Sequence, residues 1–192
     1  MLFTQQQSFL TDNSILNQKG IVIWLMGLSG AGKSTIAGLL KERLTENSVF
    51  SIVLDGDTMR EGINKNLGFT DNDRLENVRR VAEIAQMLAN NNVVAICSLI
   101  TPLHEHQQMV RDTIKMPYFE VFVDCPVAVC EQRDVKGLYK KARRNEIKGF
   151  TGISAPFLSP LHAEMILDTA DEEPSESMLL LYKRIIPLIR PE

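Results

Sequence analysis

The string Gly27-Leu28-Ser29-Gly30-Ala31-Gly32-Lys33-Ser34-Thr35 constrains the fold more than any other part of the chain, because the spacing G-x-x-x-x-G-K-[ST] works only between a strand and a helix. The run Ile21–Met26 before it is apolar, and the stretch 34–44 after it has helical spacing. The order is therefore strand, tight loop, helix. Its glycines let the backbone curl so that successive N–H groups converge on an anion at a helix N-terminus. That arrangement aims Lys33 at the β- and γ-phosphates of a nucleoside triphosphate and the Ser34 hydroxyl at Mg²⁺. The rival reading is a glycine-rich turn that binds nothing; the complete motif with both flanks in place weighs against it.

Composition narrows the class further. With 192 residues, 44% hydrophobic and 23% charged, the chain suits one globular domain with a sizeable core. A net charge of −3 argues against wrapping nucleic acid and leaves room for a local basic pocket that takes a small anion. The three cysteines, Cys97, Cys125 and Cys130, form no C-x-x-C pair and read as reduced core thiols. No apolar run reaches the roughly 18 residues of a membrane span, and the first residues lack a basic signal-peptide start. A cytoplasmic location is expected.

From residue 20 onward strand-like and helix-like patterns alternate. Strands are expected at 21–26, 50–54, 93–98, 119–123 and, more weakly, 165–167, and helices at 33–44, 73–89, 105–114, 126–133 and 177–188. The near-continuous apolar strands suit a mostly parallel sheet buried on both faces. The expected fold class is α/β: a three-layer, P-loop nucleoside-triphosphate kinase-like fold, with ligands beyond the carboxyl ends of the strands. Residues 1–19 read as an N-terminal extension, 20–192 as a single domain, and 171–174 as a solvated connection.

A second acidic element, Leu54-Asp55-Gly56-Asp57, closes the second strand. One carboxylate can support Mg²⁺ while the other takes a proton from an attacking hydroxyl; the alternative is an Asp-Gly turn in which Asp57 caps the next helix. No N-K-x-D guanine-reading motif is present, which disfavours a GTPase switch. On the helix from Asp73, Arg74 falls on the side shared by Leu75, Val78, Ala82, Ala85 and Leu88, Asn77 sits at its border, and Arg79 and Arg80 point to solvent. Arg60 and Arg74 either form a two-arginine clamp for sulfate or phosphate, or each pairs with a carboxylate such as Glu61 or Glu76. The segment 136–144 holds five cations in nine residues and reads either as a mobile cationic lid, at about 134–158, or as a solvated basic helix. His104, His106 and His162 read as surface or packing residues.

Taken together, these strings resemble the adenylyl-sulfate kinase family. The carrying residues are Gly27 to Thr35, the segment 54–60, Asn64-Lys65-Asn66-Leu67-Gly68-Phe69, Asp73-Arg74 with Asn77 and Arg79-Arg80, Phe122-Val123-Asp124, Arg133-Asp134, Lys136 to Arg143, and Gly149-Phe150-Thr151-Gly152-Ile153. The resemblance implies ATP and Mg²⁺ as cofactors and transfer of a phosphoryl group to the ribose 3'-hydroxyl of adenosine 5'-phosphosulfate. It implies Asp57 as the base or hydroxyl-orienting residue and Asp55 with Ser34 at the metal. It puts Arg60, Arg74 and Asn77 on the phosphosulfate and Phe69 on the acceptor's base. Ile100 and Thr101 then line that pocket, Lys136, Gly149 and Phe150 finish it as the lid closes, and Arg133 and the loop near Thr169 approach the ATP base. It also implies a homodimer.

Two segments depart from the family's pattern. Where the family reads Ile-Ser-Pro, an aromatic or His, and then basic residues, this chain has Ile100-Thr101-Pro102-Leu103-His104-Glu105-His106-Gln107. In-line transfer needs no nucleophile at Thr101. The family's Asp-Asp-Pro-Tyr-Glu is replaced by Ser154-Ala155-Pro156-Phe157-Leu158, in which Phe157 keeps a ring that can stack on a base while three carboxylates are gone. A 3'-kinase for another nucleotide with an anionic 5'-group, or a nucleotide-binding partner subunit without turnover, stays open beside the main reading.

Overall fold

A computed structural model describes residues 16–190 of the chain. Its five strands are β1 (Ile21–Met26), β2 (Ser51–Asp55), β3 (Val94–Leu99), β4 (Tyr118–Asp124) and β5 (Met165–Asp168), all parallel, in the order β2-β3-β1-β4-β5. The central strands β1 and β3 are buried at every residue, as their unbroken apolar runs require, whereas the edge strands β2 and β5 are only partly covered. Alternate residues of β1 feed two separate cores. Ile21, Ile23 and Leu25 pack with α1 (Lys33–Glu46) and α7 (Pro174–Ile189); Val22, Trp24 and Met26 pack with α3 (Asp71–Asn90) and α4 (His104–Thr113). Three layers result. Three shorter helices, α2 (Gly56–Glu61), α5 (Val127–Arg133) and α6 (Leu138–Arg143), lie at the carboxyl end of the sheet. None of the described helices is long and apolar enough to cross a membrane.

Each expected strand and helix is present, with shifted ends that have local causes. Helix α3 begins two residues early because the Thr70 hydroxyl accepts the Asp73 N–H at 3.2 Å. Helix α7 begins at Pro174, so the acidic stretch read as a solvated connection leads straight into a helix: proline occupies its first turn, and the Ser177 hydroxyl donates to Glu172 at 3.0 Å. Helix α2 starts at Gly56 and is capped by Asp55, whose carboxylate accepts the Asp57 N–H at 3.0 Å. Asp57 is thus not the capping residue, and its side chain is left for other work.

Most of the expected extension, residues 1–15, lies outside the described residues. The last part of it is fastened to the body. The Gln18 amide donates to Phe50 O at 2.8 Å and Asn92 O at 2.7 Å and accepts the Phe50 N–H at 2.7 Å, closing off the amino ends of β2 and β3. Replacing Gln18 with Ala removes these three part-buried hydrogen bonds, and the unfolding free energy is expected to fall by about 2 kcal/mol, measured by urea titration.

Candidate active site

The phosphate loop runs from the end of β1 into α1. Gly27, at φ 153°, lies so close to β4 that a Cβ would stand 2.4 Å from Val123 O, and Gly32, at φ 100°, is the left-handed residue from which α1 starts. No other residue type fits either place without strain. Lys33 is buried and its ammonium donates to Leu28 O at 2.7 Å, inside the loop it serves. Burial lowers its pKa to about 8, against the upward pull of the Asp55 and Asp57 carboxylates. The Ser34 hydroxyl donates to Asp55 at 2.5 Å and lies 3.2 Å from the Ser98 hydroxyl. This cluster of hydroxyl and carboxylate oxygens suits a hard cation such as Mg²⁺. Burial pushes the Asp55 carboxyl upward, but hydrogen bonds from Ser34, the Asp57 N–H and Ser98 outweigh it and leave the pKa below the ordinary value.

Asp57 projects from the first turn of α2 and pairs with Lys136, which reaches across from the segment before α6. Arg60 and Arg74 converge on Phe69, their guanidinium carbons 4.6 and 5.9 Å from its ring centre. Neither forms an ion pair with Glu61 or Glu76. Arg60 donates to Gly68 O at 2.9 Å, and Arg74 to Phe69 O at 3.0 Å, Thr151 Oγ1 at 3.1 Å and Gly149 O at 2.6 Å. Burial and then the Arg74 charge lower the Arg60 pKa; burial also lowers that of Arg74. Two crowded cations of this kind favour an anion between them. Phe69 itself is 67% exposed, open to a planar partner. Asn77 is buried, held by the Asn64 amide at 3.0 Å.

Arg79 is exposed, as expected from the helix pattern, while Arg80 is half-buried. Both grip Glu76 at 2.7 Å, and Arg80 also donates to Ile63 O and Asn66 Oδ1, clamping α3 to the 62–66 turn. Residues 134–158 contain the short helix α6 and lie against the phosphate loop. Tyr139 of α6 is buried and its hydroxyl donates to Ser29 O at 2.9 Å, while Arg143 makes a two-pronged contact with Glu131 at 2.8 Å. Tyr139 is a site residue that the sequence pattern did not single out, since nothing local distinguishes it from a core tyrosine. Phe150, 8% exposed, stands edge-on to Tyr139 with ring centres 4.9 Å apart. Phe157 lies against Phe122, centres 5.9 Å apart, and the two line a cavity of about 610 Å³ with Leu28 and Val127.

Arg133 and Thr169 meet beside the phosphate loop: Arg133 donates to Thr169 O at 2.5 Å, and the Thr169 hydroxyl donates to Ala31 O at 2.8 Å. Ile100 follows β3, and its carbonyl accepts the Gly27 N–H at 3.3 Å. Thr101 is 1% exposed, with its hydroxyl accepting the Trp24 indole N–H at 2.9 Å. The hydroxyl is thus engaged in the core with Trp24, which leaves the main chain of Thr101 as the part that can line a pocket.

A phosphate loop at the central strand, a carboxylate pair at the end of β2 on the far side of β3, and a cation-rich segment that reaches both define a P-loop phosphotransferase. The Adenylylsulphate kinase family profile matches residues 19–168. The chain is 44% identical over 189 residues to an adenylyl-sulfate kinase of Phocaeicola vulgatus, covering 98% of this chain and 93% of that protein. It is 51% identical over 151 residues to one of Paraburkholderia xenovorans, covering 79% and 84%. The solved APS kinase of Mycobacterium tuberculosis in complex with AMPPNP and APS superimposes with a TM-score of 0.83 at 40% identity, covering 86% of this chain and 96% of that one. The chain belongs to the adenylyl-sulfate kinase family.

The lowered pKa of Lys33 has a testable sign. A bound triphosphate holds the ammonium form, so binding takes up a proton wherever the free protein has lost it. Affinity for ATP is expected to be level near pH 7 and to fall by up to about tenfold per pH unit above about 8. Calorimetric titration from pH 7 to 9.5 checks this, and in Lys33→Met the slope disappears with most of the affinity.

Proposed function

We propose that this chain transfers the γ-phosphoryl group of ATP to the ribose 3'-hydroxyl of adenosine 5'-phosphosulfate. The observation that carries the reading is Asp57, in the first turn of α2, within electrostatic reach of both Lys33 of the phosphate loop and Arg60 and paired with Lys136. In the transfer, the bond from the γ-phosphorus to the β,γ-bridging oxygen breaks as one to the 3'-oxygen forms, ADP leaves, and Asp57 takes the hydroxyl proton. Lys33 and the loop amides neutralise the triphosphate. Ser34 and Asp55 hold Mg²⁺, which when bound supplies further positive charge to the phosphates.

On the acceptor side Arg60, Arg74 and Asn77 receive the phosphosulfate and Phe69 stacks on the base. Ile100 and Thr101 back the pocket through their main chain, Lys136, Gly149 and Phe150 cover it, and Phe157 supports the cover from behind. Arg133 and Thr169 border the ATP base. Catalysis then rests on positioning and electrostatics, because a loose phosphoryl transition state needs little covalent help. We assign the chain to a single domain with its lid at 134–158, working as a homodimer in the cytoplasm; the free thiols of Cys97, Cys125 and Cys130 are in keeping with that compartment.

The test is ADP release coupled to mass identification of the product, with a panel of nucleotide acceptors. Adenosine 5'-phosphosulfate is expected to be the best acceptor; a better substrate with another base transfers the reading to that nucleotide, and ADP release with none supports the partner-subunit alternative. Asp57→Asn is expected to lower turnover by on the order of 10² or more while ATP binding is kept, and unchanged turnover contradicts the role given to Asp57.

A further inference from the structure

We propose that Gln107 is a positioning residue for the acceptor site, acting as the anchor of the lid's far end; the inference rests on the reading of residues 149–158 as the cover of a nucleotide acceptor. Gln107 lies in the first turn of α4 and is 5% exposed. Its amide nitrogen donates to Leu158 O at 2.8 Å and stands 3.4 Å from Thr101 O. Beside it the Leu158 N–H donates to Pro102 O at 2.8 Å, and His104 Nε2 lies 3.0 Å from Ser159 O. Three contacts thus stitch the strap leaving the lid to the loop after β3. These are the same two segments, 101–107 and 154–158, in which the sequence departs from the family pattern, so the departures face one another.

What is set at Leu158 reaches the acceptor pocket because the intervening chain is stiff. Residues 150–155 form a closed turn: Ser154 N and Ala155 N donate to Phe150 O at 2.9 and 3.0 Å, Gly152 N donates to Ala155 O at 2.8 Å, and Phe150 N donates to Ser154 Oγ at 2.9 Å. Pro156 fixes one torsion of the link to Leu158, and Phe157 is held against Phe122. At the other end of the turn Gly149 O and Thr151 Oγ1 are the atoms that Arg74 holds, and Gly152 abuts Leu28 of the phosphate loop, where a Cβ would stand 3.0 Å from its side chain. A displaced strap therefore moves the groups that aim Arg74 and Phe150.

Gln107→Glu keeps the shape but removes the donor, turning a carboxylate toward carbonyl oxygens, and Leu158→Pro removes the N–H from the other side. In each variant the KM for the acceptor is expected to rise about tenfold, as for a lost hydrogen bond between part-buried groups, with the KM for ATP unchanged; Gln107→Arg, which keeps a donor, is expected to restore the acceptor KM. Hydrogen exchange of residues 150–159 in the substrate-free protein is expected to quicken in Gln107→Glu and Leu158→Pro. That readout stands even should the acceptor be another nucleotide, so the anchor and the functional reading fail separately. Unchanged exchange, an unchanged acceptor KM in both variants, or equal losses toward ATP and acceptor overturns the proposal.

Discussion

The path of the backbone from Gly27 to Lys33 sets the positions of everything else in the site. Gly27 passes too close to the end of β4 for any side chain, and Gly32 turns left-handed to begin α1. The loop is therefore pinned between β1, β4 and a helix N-terminus. Because β1 is the middle strand, β3 and β4 flank the loop, and β2 follows outside β3. That order brings Asp55 to within a hydrogen bond of Ser34 and puts Asp57 one turn further out. A phosphate cradle at the sheet's centre dictates where a metal, a base and an acceptor can stand, as expected beyond the carboxyl ends of parallel strands.

Over that fixed floor the lid is held by several unlike contacts. Tyr139 hydrogen-bonds the phosphate loop, Lys136 pairs with Asp57, and Arg74 holds the Gly149 carbonyl and the Thr151 hydroxyl on either side of Phe150. The charged contacts are exposed to water, so each stabilises weakly and can be exchanged for contacts with a ligand at little cost. Under the proposed function an incoming acceptor competes with this segment for the same side chains, its anionic group for Arg74 and its hydroxyl for Asp57, and binding is then coupled to rearrangement of the cover.

The floor was legible in the sequence, and the fastening of the lid was not. The phosphate loop, Asp55 and Asp57 are local signals, since a glycine string between an apolar run and a helical pattern, or two carboxylates at a strand's end, need no knowledge of distant chain. Arg74 was conspicuous because a guanidinium on an apolar helix face needs partners, yet those partners proved to be the nearby Phe69 carbonyl and a carbonyl and a hydroxyl more than seventy residues away rather than Glu76. The same reason hid Arg80, whose acceptors lie in the 62–66 turn, and Gln107, whose acceptor is Leu158. The choice between hydroxyl and main chain at Thr101 was open in the sequence because it depends on Trp24 from β1. Pattern reading finds residues whose role is set by neighbours in sequence; those set by a neighbour in space show only once the sheet order is known.

The most direct test is a crystal structure of the protein with a non-hydrolysable ATP analogue and adenosine 5'-phosphosulfate. The account predicts the ribose 3'-hydroxyl within about 3 Å of the Asp57 carboxylate and in line with the γ-phosphorus, Lys136 released from Asp57, and the acceptor base on Phe69. A complex in which Asp57 keeps Lys136 while the acceptor's sugar faces away from the phosphate loop contradicts it.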